Sequence, residues 1–155
     1  MKEAALQLPD RVGAKPETGP TIPHLQHSDI SPPEIRDQLR DWARTAFEAT
    51  TYGRSGVSVP SSEAYFLDPA RVADVELMPP PGSPEWIHLH ADGSVHVCLS
   101  DPDEAEVLDG NWGEPHPLRD RGVREILVYA PRTIEEIEIL KAVFEASYRY
   151  ATTGG

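Results

Sequence analysis

Four of the six histidines in this 155-residue sequence fall between positions 88 and 116, and three of them sit in one short alternating stretch. That stretch runs Trp86-Ile87-His88-Leu89-His90, then Ala91-Asp92-Gly93, then Ser94-Val95-His96-Val97-Cys98-Leu99, which has the form of a β-hairpin. A two-residue Asp92-Gly93 loop would oppose Leu89 to His96 and mix apolar and imidazole side chains on both faces. A three-residue loop with Gly93 in the left-handed region opposes His88 to His96, Leu89 to Val95 and Ile87 to Val97. The second register gives one wholly apolar face and one face carrying Trp86, His88, His90, His96 and Cys98. Directly opposed Cβ atoms then lie about 4.5–5.5 Å apart, so the imidazoles can share a ligand.

Imidazoles so placed can do two kinds of chemistry. They can form a facial set of nitrogen ligands for a divalent metal such as zinc, iron or manganese, with Glu114 or His116 completing the shell. Alternatively they act as general acids and bases, since neighbouring imidazoles suppress one another's protonation and leave at least one ring free to accept a proton near neutrality. The hairpin could also simply turn an amphipathic, solvated face outward, where histidine is as acceptable as threonine. Trp86 and Trp112 can wall an aromatic ligand. Cys98 shares the hairpin face but lacks a Cys/His/Asn arrangement for a nucleophile. Arg132 can hold an acidic substrate or cap a helix.

The flanking elements must hold this hairpin. Ser31-Pro32-Pro33-Glu34 resembles a capping box and opens an amphipathic helix over residues 32–49. Residues 57–59, 63–67 and 72–77 read as short strands, and 101–108 as one or two helical turns. Asn111-Trp112-Gly113-Glu114-Pro115-His116-Pro117-Leu118 reads as a rigid loop. Residues 125–130 are near-continuously apolar and suit the middle of a sheet. Thr133 to Glu136 is a second capping box, opening a helix with stripes Ile137, Leu140, Phe144, Tyr148 and Ile139, Val143, Ala146, Tyr150. Tyr129, Tyr148 and Phe144 are expected in the core. The resulting expectation is an α+β fold, an antiparallel sheet with helices packed on one face and the histidine face lining a pocket.

Composition bounds the rest. With 39% hydrophobic residues, the length suits one domain, assigned to residues 28–151. Residues 1–27 read as a disordered or draped arm, 152–155 as a frayed tail, and residues 22–30, with His24 and His27, as a solvated linker or an extended strap. Fourteen basic against 26 acidic residues give a charge of -12, which repels nucleic acid and anionic membrane. No apolar stretch suits a signal peptide or a bilayer crossing, so a cytoplasmic location is expected. The single cysteine excludes an internal disulfide and a multi-cysteine zinc site. Oligomeric state is not legible.

The hairpin histidines, the Trp112 to Leu118 loop, Tyr129-Ala130-Pro131-Arg132 and the closing Glu145-Ala146-Ser147-Tyr148 together resemble the luciferase domain of bioluminescent fungi, a family with many short bacterial members. The likeness runs from about residue 85 to 151 and more weakly over 31–77. It implies oxidation of a 3-hydroxy-2-pyrone, hydroxyhispidin, by molecular oxygen, releasing carbon dioxide and light without an organic cofactor. Removal of an enol proton makes an anion reactive toward oxygen, so a base, an apolar pocket and an oxyanion donor are required. The resemblance thus casts His88, His90 and His96 as base and donors, oriented by His116 and Glu114, with Trp86, Trp112, Cys98 and Arg132 contacting a small aromatic or pyrone-like substrate. The fungal enzymes differ in carrying an N-terminal membrane anchor, and a glutamine where Glu114 stands. A carboxylate there favours a divalent metal on His88, His90 and His96 more than in the fungal relatives.

Overall fold

A computed structural model describes residues 6–155. Six antiparallel strands form one sheet in the order β1-β2-β3-β4-β6-β5, with β1 at Thr50–Arg54, β2 at Glu63–Leu67, β3 at Glu85–Leu89, β4 at Val95–Val97, β5 at Gly113–Pro115 and β6 at Ile126–Val128. Helix α1 covers Pro33–Ala43, α2 Asp101–Asp109 and α3 Ile134–Thr153. The fold is α+β, as expected from the alternation of patterns.

The hairpin takes the bulged register. Ile87 pairs with Val97, His88 with His96 and Leu89 with Val95, and Gly93 has φ +97°. Val95, Val97, Ile87 and Leu89 join Leu39 of α1 and Ile137, Leu140 and Phe144 of α3 in the apolar core. Strand alternation sends the opposite set the other way. One row across the sheet reads Gly53, Ala64, His88, His96, Leu127, Glu114 in successive pairings.

Several local expectations change. Helix α1 stops at Ala43 rather than 49, and Ser31 does not cap it. Its hydroxyl instead donates to the Pro131 carbonyl, tying the chain to the end of β6. Residues 57–59 and 72–77 form no strand, whereas Thr50–Arg54 and Gly113–Pro115 do. Helix α3 extends through Thr153 with Gly154 left-handed at φ +82°, where a frayed tail was expected. Thr133 caps α3 as predicted, accepting from the Glu136 amide. No described helix is long and apolar enough to cross a membrane.

The arm is draped over the body, and its first five residues lie outside the described ones. The Leu6 amide donates to Asp103 and the Leu8 amide to Glu106, both on α2. The solvated-linker reading of residues 22–30 gives way to the strap reading, because His24 and Gln26 are each 3% exposed. Gln26 explains the anchoring: its side-chain oxygen accepts from the Ala130 amide, and its own amide donates to Asp92 in the hairpin loop. These bonds satisfy backbone groups that burial would otherwise strand.

Candidate active site

His88, His90, His96 and His116 line one cavity of about 460 Å³, and the strap adds a fifth imidazole, His24. Glu125 is also in the wall, and the rest is largely apolar, including Ile22, Leu25, Val59, Leu118 and Val123. All five rings are buried.

The rings are wired to each other. His88 Nε2 lies 3.1 Å from His96 Nδ1, and His90 Nε2 lies 3.2 Å from the same atom. His96 Nε2 is 3.0 Å from His24 Nδ1. Each ring at the edge of the group also has an outer partner. His88 Nδ1 meets the Glu85 carboxylate at 2.8 Å, His24 Nε2 meets Glu114 at 3.0 Å, and His90 Nδ1 meets Ser94 Oγ at 2.8 Å.

These outer partners fix the tautomers. Glu85 is buried and already accepts from Ser55 Oγ and the Gly56 amide, as a carboxylate does. His88 therefore donates from Nδ1, and in the neutral ring Nε2 is the lone-pair nitrogen. Ser94 Oγ donates to Asp92 at 2.5 Å, so it accepts from His90 Nδ1, and His90 Nε2 is also a lone pair. Glu114 accepts from His24, Thr18 and Tyr129; burial raises its pKa, but these hydrogen bonds bring it below the ordinary value. Burial, then the neighbouring imidazoles, pushes His96 and His90 well below the ordinary histidine value, so both are neutral. Burial chiefly brings His116 down to about 4. Its Nδ1 accepts from the Leu118 amide, so the neutral ring carries its proton on Nε2 as a donor.

Glu125 behaves differently from Glu114. It is 5% exposed, its Oε2 has no hydrogen-bond partner, and burial raises its pKa. A buried carboxyl with a raised pKa beside a cavity is a candidate for proton transfer.

Four predicted contacts lie elsewhere. Trp86 does not share the histidine face: the pairing shifts from Tyr65–Ile87 to Phe66–Glu85, making Trp86 the extra residue of a bulge. It turns into the aromatic core, 5.0 Å from Phe47 and 5.6 Å from Tyr148 by ring centroids, and Glu85 takes its place on the site side. Cys98 follows β4 into the core, where burial pushes its thiol well above the usual range and removes it as a nucleophile. Trp112 and Arg132 border a different cavity beside α3. Trp112 Nε1 donates to the Pro9 carbonyl, and Arg132 pairs with Glu136, which is the helix-capping alternative. Glu114 reaches the cluster only through His24.

Sequence reasoning missed His24, Glu85 and Glu125. The Gln26 to Asp92 contact could not be read, but Glu85 directly precedes the hairpin and a bulge would have put it in phase with His88.

The fold and the cavity define a small α+β domain that gathers buried imidazoles under an N-terminal strap. Residues 83–147 match the family model of the luciferase domain, so the resemblance drawn from the sequence holds there. The chain is 28% identical over 163 residues to a luciferase of Armillaria gallica, and 28% identical over 165 residues to one of Armillaria mellea. Each alignment covers 94% of this chain, and the chain spans 61% of the length of these relatives. A luciferase of Neonothopanus nambi is 37% identical over 75 residues, 44% of this chain and 28% of the relative. No solved structure matches the chain.

Proposed function

We propose that this protein oxidises a small enolisable hydroxypyrone or phenolic compound with molecular oxygen, in the histidine cavity and without an organic cofactor. The supporting observation is the wall itself: five buried imidazoles and one carboxyl of raised pKa border an otherwise apolar space of about 460 Å³. That size suits a single aromatic molecule.

The chemistry follows from the protonation states. The substrate enol must lose a proton before oxygen can attack the electron-rich anion. Glu125, which borders the space, and the lone-pair nitrogens of His88, His90 and His96 are the acceptors the wall offers, and the His116 Nε2 proton is the donor for the oxyanion. Exclusion of water by Leu25, Val59, Leu118 and Val123 strengthens both contacts. The Armillaria and Neonothopanus relatives are named luciferases, so light is a natural readout.

The test is oxygen consumption and photon emission by the purified chain with 3-hydroxyhispidin and simpler hydroxypyrones. Turnover is expected to fall about 10²-fold or more in His116→Ala, by loss of an oxyanion donor. Ligand uptake without oxygen consumption would make the protein a binding module and end the proposal. A metal-dependent oxygenase or isomerase on the same histidines is favoured by one further observation, the meeting of three ring nitrogens.

A further inference from the structure

The rings of His24, His88, His90 and His96 meet nitrogen to nitrogen in three contacts. An imidazole in its neutral form has one N–H, so four such rings offer four. Three of those four are committed outward, from His88 to Glu85, from His90 to Ser94 and from His24 to Glu114. One N–H, that of His96, is left to serve three N···N contacts of 3.0 to 3.2 Å. Its best use is from Nε2 to the His24 Nδ1 lone pair, since that completes an unbroken relay to Glu114. The nitrogens His88 Nε2, His90 Nε2 and His96 Nδ1 then face one another with lone pairs only, all within 4.8 Å.

Three lone pairs at this separation repel unless a proton or a metal ion lies between them, and a single metal ion can meet all three at once. Nitrogen ligands about 2.0–2.1 Å from a metal stand about 2.8–3.0 Å apart in octahedral and about 3.3–3.4 Å in tetrahedral geometry. Two of the three separations, 3.1 and 3.2 Å, lie between those values. Every ligating ring also has a second-nitrogen partner of the kind that orients metal-bound histidines: a carboxylate directly, a carboxylate through a serine, and a carboxylate through another imidazole. The set is neutral and rich in imidazole, which suits first-row divalent transition ions and not magnesium or calcium.

We propose that His88 Nε2, His90 Nε2 and His96 Nδ1 bind one first-row divalent transition-metal ion on the cavity wall, held in register by Glu85, by Asp92 through Ser94, and by Glu114 through His24. The three rings border the cavity of the proposed substrate site. With the three imidazoles so engaged, Glu125 is the proton acceptor left in the wall, and the ion supplies Lewis-acid stabilisation of a bound oxyanion when present.

The experiment uses the full chain, stripped with chelator and titrated with Co²⁺ alone, then with Zn²⁺ in competition. One equivalent of Co²⁺ is expected to give visible d–d bands that Zn²⁺ abolishes, and Zn²⁺ is expected to raise Tm. Ser94→Ala leaves all three ligands in place but frees the His90 tautomer, so affinity should drop about 10–100-fold with an unchanged circular dichroism spectrum. Glu85→Gln should do the same, and His90→Ala should abolish the bands. His27→Ala, at an exposed imidazole, should change nothing. A folded wild-type chain that gives no bands and no Tm response, or bands that survive His90→Ala, overturns the site. Binding is read without substrate, so a chain that binds Co²⁺ stoichiometrically but consumes no oxygen supports the metal site while refuting the proposed oxidation.

Discussion

Glu125 and Glu114 are two carboxylates on the same side of the sheet with opposite relations to the fold. Glu125 is buried with Oε2 unpartnered, so the fold compensates its charge only in part. Glu125→Gln is therefore expected to leave the urea midpoint unchanged or raised while oxygen consumption falls about 10²–10⁴-fold, the size of a general-base contribution. A parallel loss of stability and turnover would remove Glu125 from the reaction. Glu114, by contrast, accepts hydrogen bonds from His24, Thr18 and Tyr129. Glu114→Gln, which places a donor among those donors, should cost about 1–3 kcal/mol in urea unfolding.

The hairpin shows what an element's own sequence can and cannot reveal. Its register was legible because alternation and a loop glycine act within the hairpin itself. Gly93 has φ +97°, and a Cβ there would overlap the Ser31 side chain. Gly93→Ala should thus cost roughly 2–4 kcal/mol, measured by thermal or urea unfolding, and weaken the strap's hold on the loop. The position of Trp86 was not legible, because the bulge arises from pairing with β2 and no pattern within β3 announces it, and Cys98 lies one residue past the end of β4, where strand alternation no longer places it. Strand β1, Thr-Thr-Tyr-Gly-Arg, escaped notice as a polar edge strand with no apolar alternation. The helix end at Ala43 was missed because residues 44–49 contain neither glycine nor proline. His24 was hidden for a different reason: an extended strap has no period, and its burial comes from Asp92 and Ala130, far away in the sequence.

For the molecule as a whole, the buried imidazoles set the response to acid. In the folded chain His90 and His96 titrate well below their ordinary value and His116 at about 4, all chiefly through burial. The unfolded chain binds those protons near about pH 6.5, so below that value it holds more protons than the folded one. Stability from these groups is present above about pH 6.5 and is lost as pH falls toward about 4, at up to about 1.4 kcal/mol per pH unit for each histidine. Urea titrations across that window should show the midpoint dropping, and a flat profile would contradict the burial of neutral rings.

The strap adds no strand to the sheet: apart from the Thr18–Gln26 bridge within itself, it attaches through individual hydrogen bonds such as Gln26 to Ala130. The His24 ring of the site is thus supplied by a segment that lies outside the sheet's hydrogen-bond ladder. A chain beginning just before α1 should accept a synthetic peptide of residues 6–30 in trans, with turnover saturating as the peptide is added, and a peptide carrying alanine for His24 should dock without restoring it.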